Sequence, residues 1–545
     1  MTRLRDIALP LGAPPSELRA AAAAALGVAI DKILDVRVRK VSVDARAKQP
    51  KKVYTIDAWQ LGEHPEPDPV PALRRPARVA PATGGRAPII VGTGPAGLWA
   101  ALRFIEAGVA PVLLDRGGAL PERHDAVRRL RRDGVLDPES NLCFGAGGAG
   151  TYSDGKLYTR RRDPEIQRIY QDFAALGAPA EILVEAHPHI GTNRLIRMLA
   201  ALEDFLRDAG TDLRYGARVT SLLRASDGRV HGVRLASGEE LEGPAVVLAA
   251  GHSARDVYRW LHEAGVPLVR KPFAIGARCE HPQARIDAMQ YGEHAGHPAL
   301  EPSEYFLTAQ VGPRGVYSFC MCPGGFVIPT TTELGRLNVN GMSNHKRGSD
   351  FANAALVVTV EPRDFWLDRP GDLDHHGPLA GLELQRALET RAFELGGGGY
   401  VAPAQRLTDF VQGRTSASLP PRTSYRPVHP HTPGDASGLT PADLRAILPE
   451  RLHAPLARGI LRFDQKMRGY LGEDAILIGV ETTTSSPVRI VRDEATLVVP
   501  GFPGLYPSGE GAGQAGGIVS SALDGMRSAE AVLAGLARAT ASAGG

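Results

Sequence analysis

The stretch from Ala87 to Gly117 constrains the fold of this chain more than any other. It contains an apolar run (PIIV), a glycine-rich turn (GTGPAG), a helical segment to Glu106 and a second apolar run (PVLL) that leads into Asp115. In this strand–turn–helix–strand order, a G-x-G-x-x-G turn presents a helix N-terminus to a phosphate group. The order predicts dinucleotide binding, and an ordinary glycine-rich turn between a strand and a helix is the alternative.

The positions of this turn have separate expected roles. Gly92 permits the tight turn, Gly94 lets a pyrophosphate approach the backbone, and Gly97 lets the helix pack close to the strand. Asp115 follows at roughly the spacing of the carboxylate that takes the ribose hydroxyls. The residues predicted to hold the dinucleotide here are Gly92, Gly94, Pro95, Ala96, Gly97, Asp115 and Arg116.

Further glycine-rich segments predict that the dinucleotide is FAD rather than NAD alone. Residues 141–157 (NLCFGAGGAGTYSDGKL) are too rich in glycine for a regular helix or strand, and such a loop can bring backbone N–H groups against a flavin. A flexible loop is the alternative. A mid-chain strand ends on Gly251, and a C-terminal strand leads to Glu510, which can accept a ribityl hydroxyl, and to a helix start that faces the flavin pyrimidine. The further predicted FAD contacts are Gly148, Thr151, Ser153, Lys156, Val219, Gly251, Gly509, Glu510, Gly516, Gly517 and Ile518.

Composition limits the class of protein. The chain has 545 residues, more than one typical core, with 43% hydrophobic and 23% charged residues, as in globular proteins. Its net charge of +3 argues against a nucleic-acid partner, and its four cysteines do not form a disulfide framework. No apolar run approaches about 18 residues and no signal architecture is present, so we expect no membrane span and a cytoplasmic location. The oligomeric state is left open.

We expect an α/β protein with a Rossmann-like FAD-binding fold that is discontinuous in sequence. An inserted α+β substrate or cap domain and a small N-terminal βαββ domain complete the expected architecture. A charged segment at 122–133 is expected to form an exposed helix. The expected units are the N-terminal module (1–62), a proline-rich linker (63–86), the first segment of the FAD-binding domain (87–268), the cap (269–479) and the second segment of the FAD-binding domain (480–545).

Motifs along nearly the whole chain resemble the family of FAD-dependent dehydrogenases that carry a small N-terminal α+β domain. They include GTGPAG (92–97), GGAGTYSDGKL (147–157), FCMCPGG (319–325), TSSPVRI (484–490) and LYPSGEGAGQAGGI (505–518). The resemblance implies a flavoprotein fold related to the glutathione-reductase and aromatic-hydroxylase groups, with extended, non-covalent FAD. It supplies no substrate. The chain departs from the family pattern at Thr483, where arginine is usual, and at 424–430 (SYRPVHP).

The candidate catalytic residues lie in the expected cap. Cys320 and Cys322 form a C-x-C pair, which a regular strand would direct to one face, and packing, a redox dithiol and metal binding are all open interpretations. His345 and Arg347 belong to the polar run NVNGMSNHKR (338–347). This run is either a solvated loop or an anchor for an anionic substrate.

These features predict an FAD-dependent oxidoreductase that dehydrogenates or reduces a small organic substrate by hydride transfer at flavin N5. NAD(P)H is considered as a transient electron donor, although no second G-x-G-x-x-G indicates a separate nicotinamide domain. One alternative is a flavin monooxygenase that uses NAD(P)H and O₂. The alternative of another class is a flavin-binding regulatory or RNA-associated protein whose N-terminal module recruits a macromolecule.

Overall fold

A computed structural model of the chain describes residues 1–45, 49–80, 87–368, 374–425 and 438–543. The end of the expected linker (81–86) and the segment 426–430 of the departing motif lie outside these residues. Among the helices of the described residues, none is long and apolar enough to cross a membrane.

The N-terminal module is a three-stranded antiparallel sheet covered by one helix. Its elements are β1 (Thr2–Pro10), α1 (Glu17–Leu26), β2 (Ile33–Asp44) and β3 (Lys51–Gln60), and the strand order is β1-β3-β2. Leu18 and Ala22 of α1 pack with Ile56 of β3 in a small core. The βαββ expectation is confirmed. Two backbone hydrogen bonds, from Val41 N–H to Val184 O and from Ala186 N–H to Val41 O, join the module to the rest of the chain.

The following stretch of the chain builds a mainly α/β domain. Its elements are β4 (Ile89–Val91), α2 (Pro95–Glu106), β5 (Val112–Leu114), α3 (Leu120–Asp133), α4 (Glu165–Ala175), α5 (Thr192–Asp208), β6 (Asp212–Arg214), β7 (Val219–Arg224), β8 (Val230–Leu235), β9 (Glu240–Glu242), β10 (Val246–Leu248) and α6 (Arg255–Glu263).

A second domain follows, with a large sheet and flanking helices. Its elements are β11 (Leu268–Arg270), β12 (Phe273–Pro282), α7 (Gln283–Tyr291), β13 (Thr308–Val311), β14 (Arg314–Cys322), β15 (Gly325–Pro329), β16 (Val339–Ser343), β17 (Phe351–Val360), α8 (Ala380–Gly396), β18 (Ala402–Arg406), α9 (Leu407–Gln412), β19 (Leu439–Pro441), α10 (Glu450–Lys466) and β20 (Ile476–Glu481). The seven-stranded sheet runs in the order β13-β14-β17-β12-β20-β18-β19.

The chain then returns to the first domain with β21 (Val488–Ile490), β22 (Leu505–Pro507) and α11 (Ile518–Ala543). A parallel sheet in the order β22-β10-β4-β5-β6 unites strands from both ends of this discontinuous domain. Alternate strand residues face opposite ways. Ile90 therefore packs under α2, α5 and α11, whereas Ile89 and Val91 pack with β7, β8 and α6. The Rossmann-like fold, interrupted by a second domain, is confirmed.

The charged segment at 122–133 forms the expected helix, but this helix is exposed on one side only. Helix α3 is amphipathic, and its buried face carries Arg123 together with Ala126, Val127 and Leu130. The exposed-helix expectation is wrong because the i, i+3, i+4, i+7 spacing of these four residues places them on one face, which packs inward.

Candidate functional site

The predicted glycine-rich segments meet at the carboxyl ends of the parallel strands. A Cβ atom added to Gly148 would lie 2.8 Å from the Cα atom of Gly94. One added to Gly150 would lie 3.5 Å from the Ile518 side chain and 3.6 Å from that of Pro95. The glycine-rich loop (residues 141–157) therefore touches both the phosphate loop (residues 92–97) and the start of α11.

The phosphate loop is packed so closely that it tolerates only glycine at two positions. Gly92 has φ 109°, and a Cβ there would lie 2.3 Å from the carbonyl oxygen of Ala249, just after β10. A Cβ on Gly97 would lie 1.8 Å from the carbonyl oxygen of Gly92. Both distances are far below van der Waals contact, so the roles assigned to the two glycines agree with the packing.

The C-terminal segment reaches the same region. A Cβ on Gly509 would lie 2.8 Å from the Cβ of Ala96, and one on Gly511 would lie 2.7 Å from the carbonyl carbon of Gly251. Glu510 is partly exposed, and its Oε1 lies 3.7 Å from Nδ1 of His252. The strand ends at 251 and 510 thus lie side by side.

The geometry fits an extended dinucleotide. No side chain caps the N-terminus of α2, whose first turn begins in the phosphate loop, so its N–H groups can bind a pyrophosphate. Gly516 and Gly517 are exposed, and no atom lies within 4 Å of a Cβ built on either, so there is open space before α11. These residues could hold FAD, whose flavin supplies the redox chemistry.

Asp115 has protein partners for its whole carboxylate. Its Oδ2 accepts from the Thr93 amide (2.9 Å) and hydroxyl (2.7 Å), and its Oδ1 accepts from the amides of Gly117 (2.9 Å) and Gly145 (3.0 Å). A carboxylate has about four lone-pair sites. Asp115 therefore clamps the phosphate loop to the glycine-rich loop, and a ribose hydroxyl would have to share or displace one of these donors.

Four other residues that were predicted to contact FAD have contacts within the protein. The Thr151 hydroxyl donates to Ala146 O at 3.0 Å and the Ser153 hydroxyl to Gly150 O at 2.7 Å, so both brace the glycine-rich loop. Arg116 is paired with Glu139 and Asp256. Val219 is buried in the core under β4 and β5, where its side chain packs with other apolar groups.

Arg123 is a residue that the sequence reasoning missed. Its fully buried guanidinium donates to the carbonyl oxygens of Asn141 (2.9 Å), Leu142 (3.1 Å), Gly145 (3.3 Å) and Ala146. Burial lowers the pKa of Arg123. One side chain thus fixes four carbonyls of the glycine-rich loop. The apolar i+3, i+4 and i+7 neighbours of Arg123 were the available signal that this arginine faces inward.

Lys156 joins the glycine-rich loop to the large sheet of the second domain. Its ammonium group donates to the carbonyl of Met321 and lies 3.8 Å from Asp154 Oδ2. Burial lowers the pKa of Lys156, but Glu304 and Asp154 outweigh this effect, so that the pKa is raised overall. The lysine is therefore a cation at the boundary between the two domains.

Cys320 and Cys322 do not lie on a regular strand. The register of β14 against β17 shifts between Phe319 and Cys322, and Cys320 has φ 45°. We call residues 319–322 the cysteine bulge. Cys320 is half-buried and Cys322 is fully buried. The expectation that both thiols share one face of a regular strand is wrong, because the bulge interrupts the alternation.

The two thiols have opposite acidities. A hydrogen bond from Cys322, with Arg278 and Lys156 nearby, lowers the pKa of Cys320 to about 6. The same bond and burial raise the pKa of Cys322. Arg278 is fully buried and its Nε lies 2.8 Å from Glu481 Oε2, and burial raises the pKa of Glu481 to about 7.

The polar run at 338–347 is solvated only in part, because Asn344 and Lys346 are exposed in the turn after β16 whereas Arg347 is buried. Its first half forms β16, and Arg347 is 6% exposed, with its guanidinium near Asp154 (3.4 Å), Glu301 (3.4 Å) and Glu304 (2.6 Å). The His345 ring stacks on His189, with centroids 5.5 Å apart. Arg347 was a candidate anchor for an anionic substrate, but three carboxylates of the protein already pair with its guanidinium.

No group of three or more histidine, cysteine, aspartate or glutamate side chains in the described ranges is arranged to hold a metal ion. Two cations, Lys156 and Arg278, flank the cysteine bulge instead. The site therefore combines converging glycine-rich backbone segments with a charged, sulfur-containing cluster at the boundary of the two domains.

Comparisons with known proteins agree with this geometry. The family described as FAD-dependent protein, C-terminal domain-like, matches residues 272–484, and a domain of unknown function matches residues 1–59. A protein of Clostridium beijerinckii named "Uncharacterized protein" is 42% identical over 448 residues, covering 82% of this chain and 80% of its own.

More distant similarities extend over shorter or more divergent stretches. A soluble pyridine nucleotide transhydrogenase of Mycobacterium tuberculosis is 27% identical over 267 residues, which are 44% of this chain and 52% of that protein. The L-amino acid deaminase from Proteus myxofaciens, solved with anthranilate, is 12% identical with a TM-score of 0.34, covering 85% of this chain and 93% of that one. A geranylgeranyl bacteriochlorophyll reductase-like protein from Thermoplasma acidophilum is 11% identical with a TM-score of 0.34, covering 83% and 79%.

Proposed function

This chain belongs to the family of its Clostridium beijerinckii relative, and we propose that it is an FAD-dependent oxidoreductase acting on a small organic substrate between its two domains. FAD is its cofactor. The proposed reaction is a dehydrogenation or reduction in which hydride is exchanged with the flavin. The protein's own role is to orient the substrate, exclude water and place charge beside the reacting atoms.

One observation carries the proposal. The glycine-rich loop touches the phosphate loop through Gly148 and the cysteine bulge through Lys156, only eight residues later. A group bound along this loop would therefore lie next to the bulge and the buried Arg278. Such a boundary, lined by glycine backbone on one side and by charged side chains on the other, suits a bound flavin and a polar substrate.

A second set of charges supports the proposal that the substrate is anionic. Arg489 on β21 is exposed, and its backbone packs against Gly513, where an added Cβ would lie 2.9 Å from the Arg489 Cα. Burial lowers the pKa of Lys271, with Glu510 opposing and Arg489 reinforcing this effect, so the three side chains share one electrostatic environment. An incoming anion would be attracted by Arg489, which replaces Arg347 as the proposed anchor.

We further propose NAD(P)H as a transient electron donor. The similarity to soluble pyridine nucleotide transhydrogenases supports this donor, although it covers only about half of those proteins. The five-stranded parallel sheet of the described residues belongs to the proposed FAD domain. We therefore propose that the nicotinamide binds briefly at the flavin site and not in a separate nicotinamide-binding domain.

The test is anaerobic flavin reduction. Purified protein carrying FAD would be mixed with NADH, NADPH and a panel of organic acids, and bleaching of the flavin absorbance would be followed. We expect a pyridine nucleotide to reduce the flavin. One class of small substrate should then either reoxidise the reduced flavin or reduce the oxidised flavin directly. The variant Arg489→Gln should raise the substrate concentration needed for half-maximal reduction by up to about fivefold, the range for an exposed charge. The control is Arg234→Gln, which removes an exposed arginine of β8 that is paired with Glu240.

Other outcomes would overturn the proposal. Rapid NAD(P)H oxidation that yields a hydroxylated product only with O₂ would establish the monooxygenase alternative. A flavin that no donor or substrate reduces, together with RNA or a protein partner that is lost on removal of residues 1–62, would favour the regulatory alternative.

A further inference from the structure

The cysteine bulge holds two thiols in a geometry that a regular strand would not give. Cys320 adopts φ 45°, a left-handed conformation that is unfavourable for a residue other than glycine. Within the bulge, the Cys322 thiol donates a hydrogen bond to the Cys320 carbonyl at 3.4 Å, so the buried thiol lies against the backbone of the other cysteine. The rest of the sheet must offset the cost of this backbone conformation, which a purely space-filling pair of cysteines would not require.

The bulge is held from both sides by cations. Arg278 Nη1 donates to the Cys320 carbonyl at 2.8 Å, and the Lys156 ammonium donates to the next carbonyl along the chain. A Cβ on Gly341 would lie 2.8 Å from Arg278 Nη1 and 3.0 Å from Cys322 Sγ, so the missing side chain leaves both atoms room to lie close together. Positive charge beside a thiol favours the thiolate, which is the reactive form.

The two cysteines differ in access. Cys320 is half-buried, so a small molecule can reach it, whereas Cys322 is fully buried behind it. This difference matches the division between an attacking thiol and a resolving thiol in disulfide exchange. Neither cysteine is part of a metal-binding group in the described residues.

We propose that Cys320 and Cys322 form a reversible dithiol–disulfide centre that exchanges with low-molecular-weight disulfides. This inference goes beyond the proposed function, because the exchange takes place between sulfur atoms alone. Asp154 and Glu481 also face the pair, and both oppose the ionisation of Cys320 that Arg278 and Lys156 favour.

The exchange balances without another reactant. The Cys320 thiolate attacks one sulfur of the substrate disulfide, the S–S bond breaks, and the first product leaves as a thiolate that takes up the proton released by Cys320. Cys322 then loses its proton and attacks Cys320 Sγ, which releases the second product as a thiolate that takes up that proton. The protein is oxidised to the Cys320–Cys322 disulfide and the substrate is reduced to two thiols.

The first experiment measures the reactivity of each cysteine in the full, FAD-loaded chain. Iodoacetamide labelling followed by peptide mass spectrometry gives a separate rate for each cysteine at a series of pH values. We expect the labelling of Cys320 to reach half its maximum near pH 6, with a rate at pH 7 about tenfold above that of Cys143. A midpoint above about pH 8 would overturn the proposal.

The second experiment uses hydroxyethyl disulfide as the probe, with no pyridine nucleotide present. Wild-type protein should release two equivalents of mercaptoethanol, and its Cys320–Cys322 peptide should lose two hydrogen atoms. Cys322→Ser should stop at a mixed disulfide on Cys320, and Cys320→Ser should release nothing. Cys279→Ala, which removes a free cysteine of β12 outside the bulge and the glycine-rich loop, should behave as wild type. Absence of the mixed disulfide in Cys322→Ser would refute the proposal.

The two proposals can fail separately. Loss of exchange with normal flavin reduction would remove only the dithiol centre, and normal exchange with a flavin that no donor reduces would remove only the proposed function. If Cys320→Ser does not fold, as judged by its flavin spectrum, the wild-type labelling profile and the wild-type peptide mass still decide the question.

Discussion

Replacement of Arg123 by methionine should loosen the glycine-rich loop. The guanidinium is fully buried and donates to the carbonyl oxygens of residues 141, 142, 145 and 146, with no carboxylate among its hydrogen-bond acceptors in the described chain. Methionine fills most of the same volume but donates no hydrogen bond. The four carbonyls would then need water or a rearranged backbone.

The magnitude follows from the lost hydrogen bonds. A buried hydrogen bond from a charged donor contributes roughly 1.5–3 kcal/mol, and a carbonyl left without a partner costs about 1–3 kcal/mol. The guanidinium no longer has to be desolvated, which offsets some of this loss. Four unpaired carbonyls at about 1 kcal/mol or somewhat more each, less that offset, give a net cost of about 3–5 kcal/mol. If only the loop loosens, about 3 kcal/mol would appear as FAD binding weakened roughly 150-fold.

Two measurements check this prediction: fluorescence titration of apoprotein with FAD, and urea unfolding of the apoprotein. The control is Arg128→Met, which removes an arginine from the exposed side of the same helix, where its side chain is 61% exposed and paired with Asp125. The control should change either quantity by less than about 0.5 kcal/mol. If Arg123→Met bound FAD and unfolded as the control does, the argument that this arginine shapes the loop would be wrong.

Three further predictions use matched changes. Gly148→Ala should weaken FAD binding at least tenfold, because the added Cβ would lie 2.8 Å from the phosphate loop. The control is Gly216→Ala, which has a similar φ and no atom within 4 Å of the added Cβ. It should lower the free energy of unfolding in urea by only about 1 kcal/mol. Burial raises the pKa of Asp172 to about 6, so the folded protein binds this proton more tightly than the unfolded chain does. The free energy of unfolding of the wild type therefore falls as pH rises from about 4 to 6. Asp172→Asn should be about 1–3 kcal/mol more stable than wild type at pH 7.5 and nearly equal to it at pH 4. Arg255→Met should cost about 3–5 kcal/mol because it leaves Glu389 buried without its partner at 2.6 Å, and the double variant with Glu389→Leu should recover most of that loss in the same assay.

Local patterns in the sequence were enough to predict most elements. Strands β4 (Ile89–Val91) and β5 (Val112–Leu114) and helix α2 (Pro95–Glu106) lie where the apolar runs and the glycine turn predicted them. Helix α11 (Ile518–Ala543) begins where the helix start after Gly516 and Gly517 was predicted. These predictions worked because a strand or helix is recognised from neighbouring residues, and G-x-G-x-x-G imposes its turn by backbone freedom alone.

The partners of individual charged groups could not be predicted in this way. Arg347 was a candidate anion anchor, but Asp154 and Glu304 surround it from positions far away in sequence. Asp115 was expected to take a ribose, yet Gly145 and Thr93 donate to it. Periodicity indicates which face a side chain occupies, but not which residue packs opposite.

The sequence by itself determined that separate glycine-rich turns flank parallel strands, because the steric need for glycine is local and visible in the letters. Only the tertiary structure decided that Gly148 touches Gly94, that Arg123 lies beneath the loop and that β14 bulges at Cys320. These features depend on packing between elements distant in sequence, where one added methyl group or one buried charge changes what can fit.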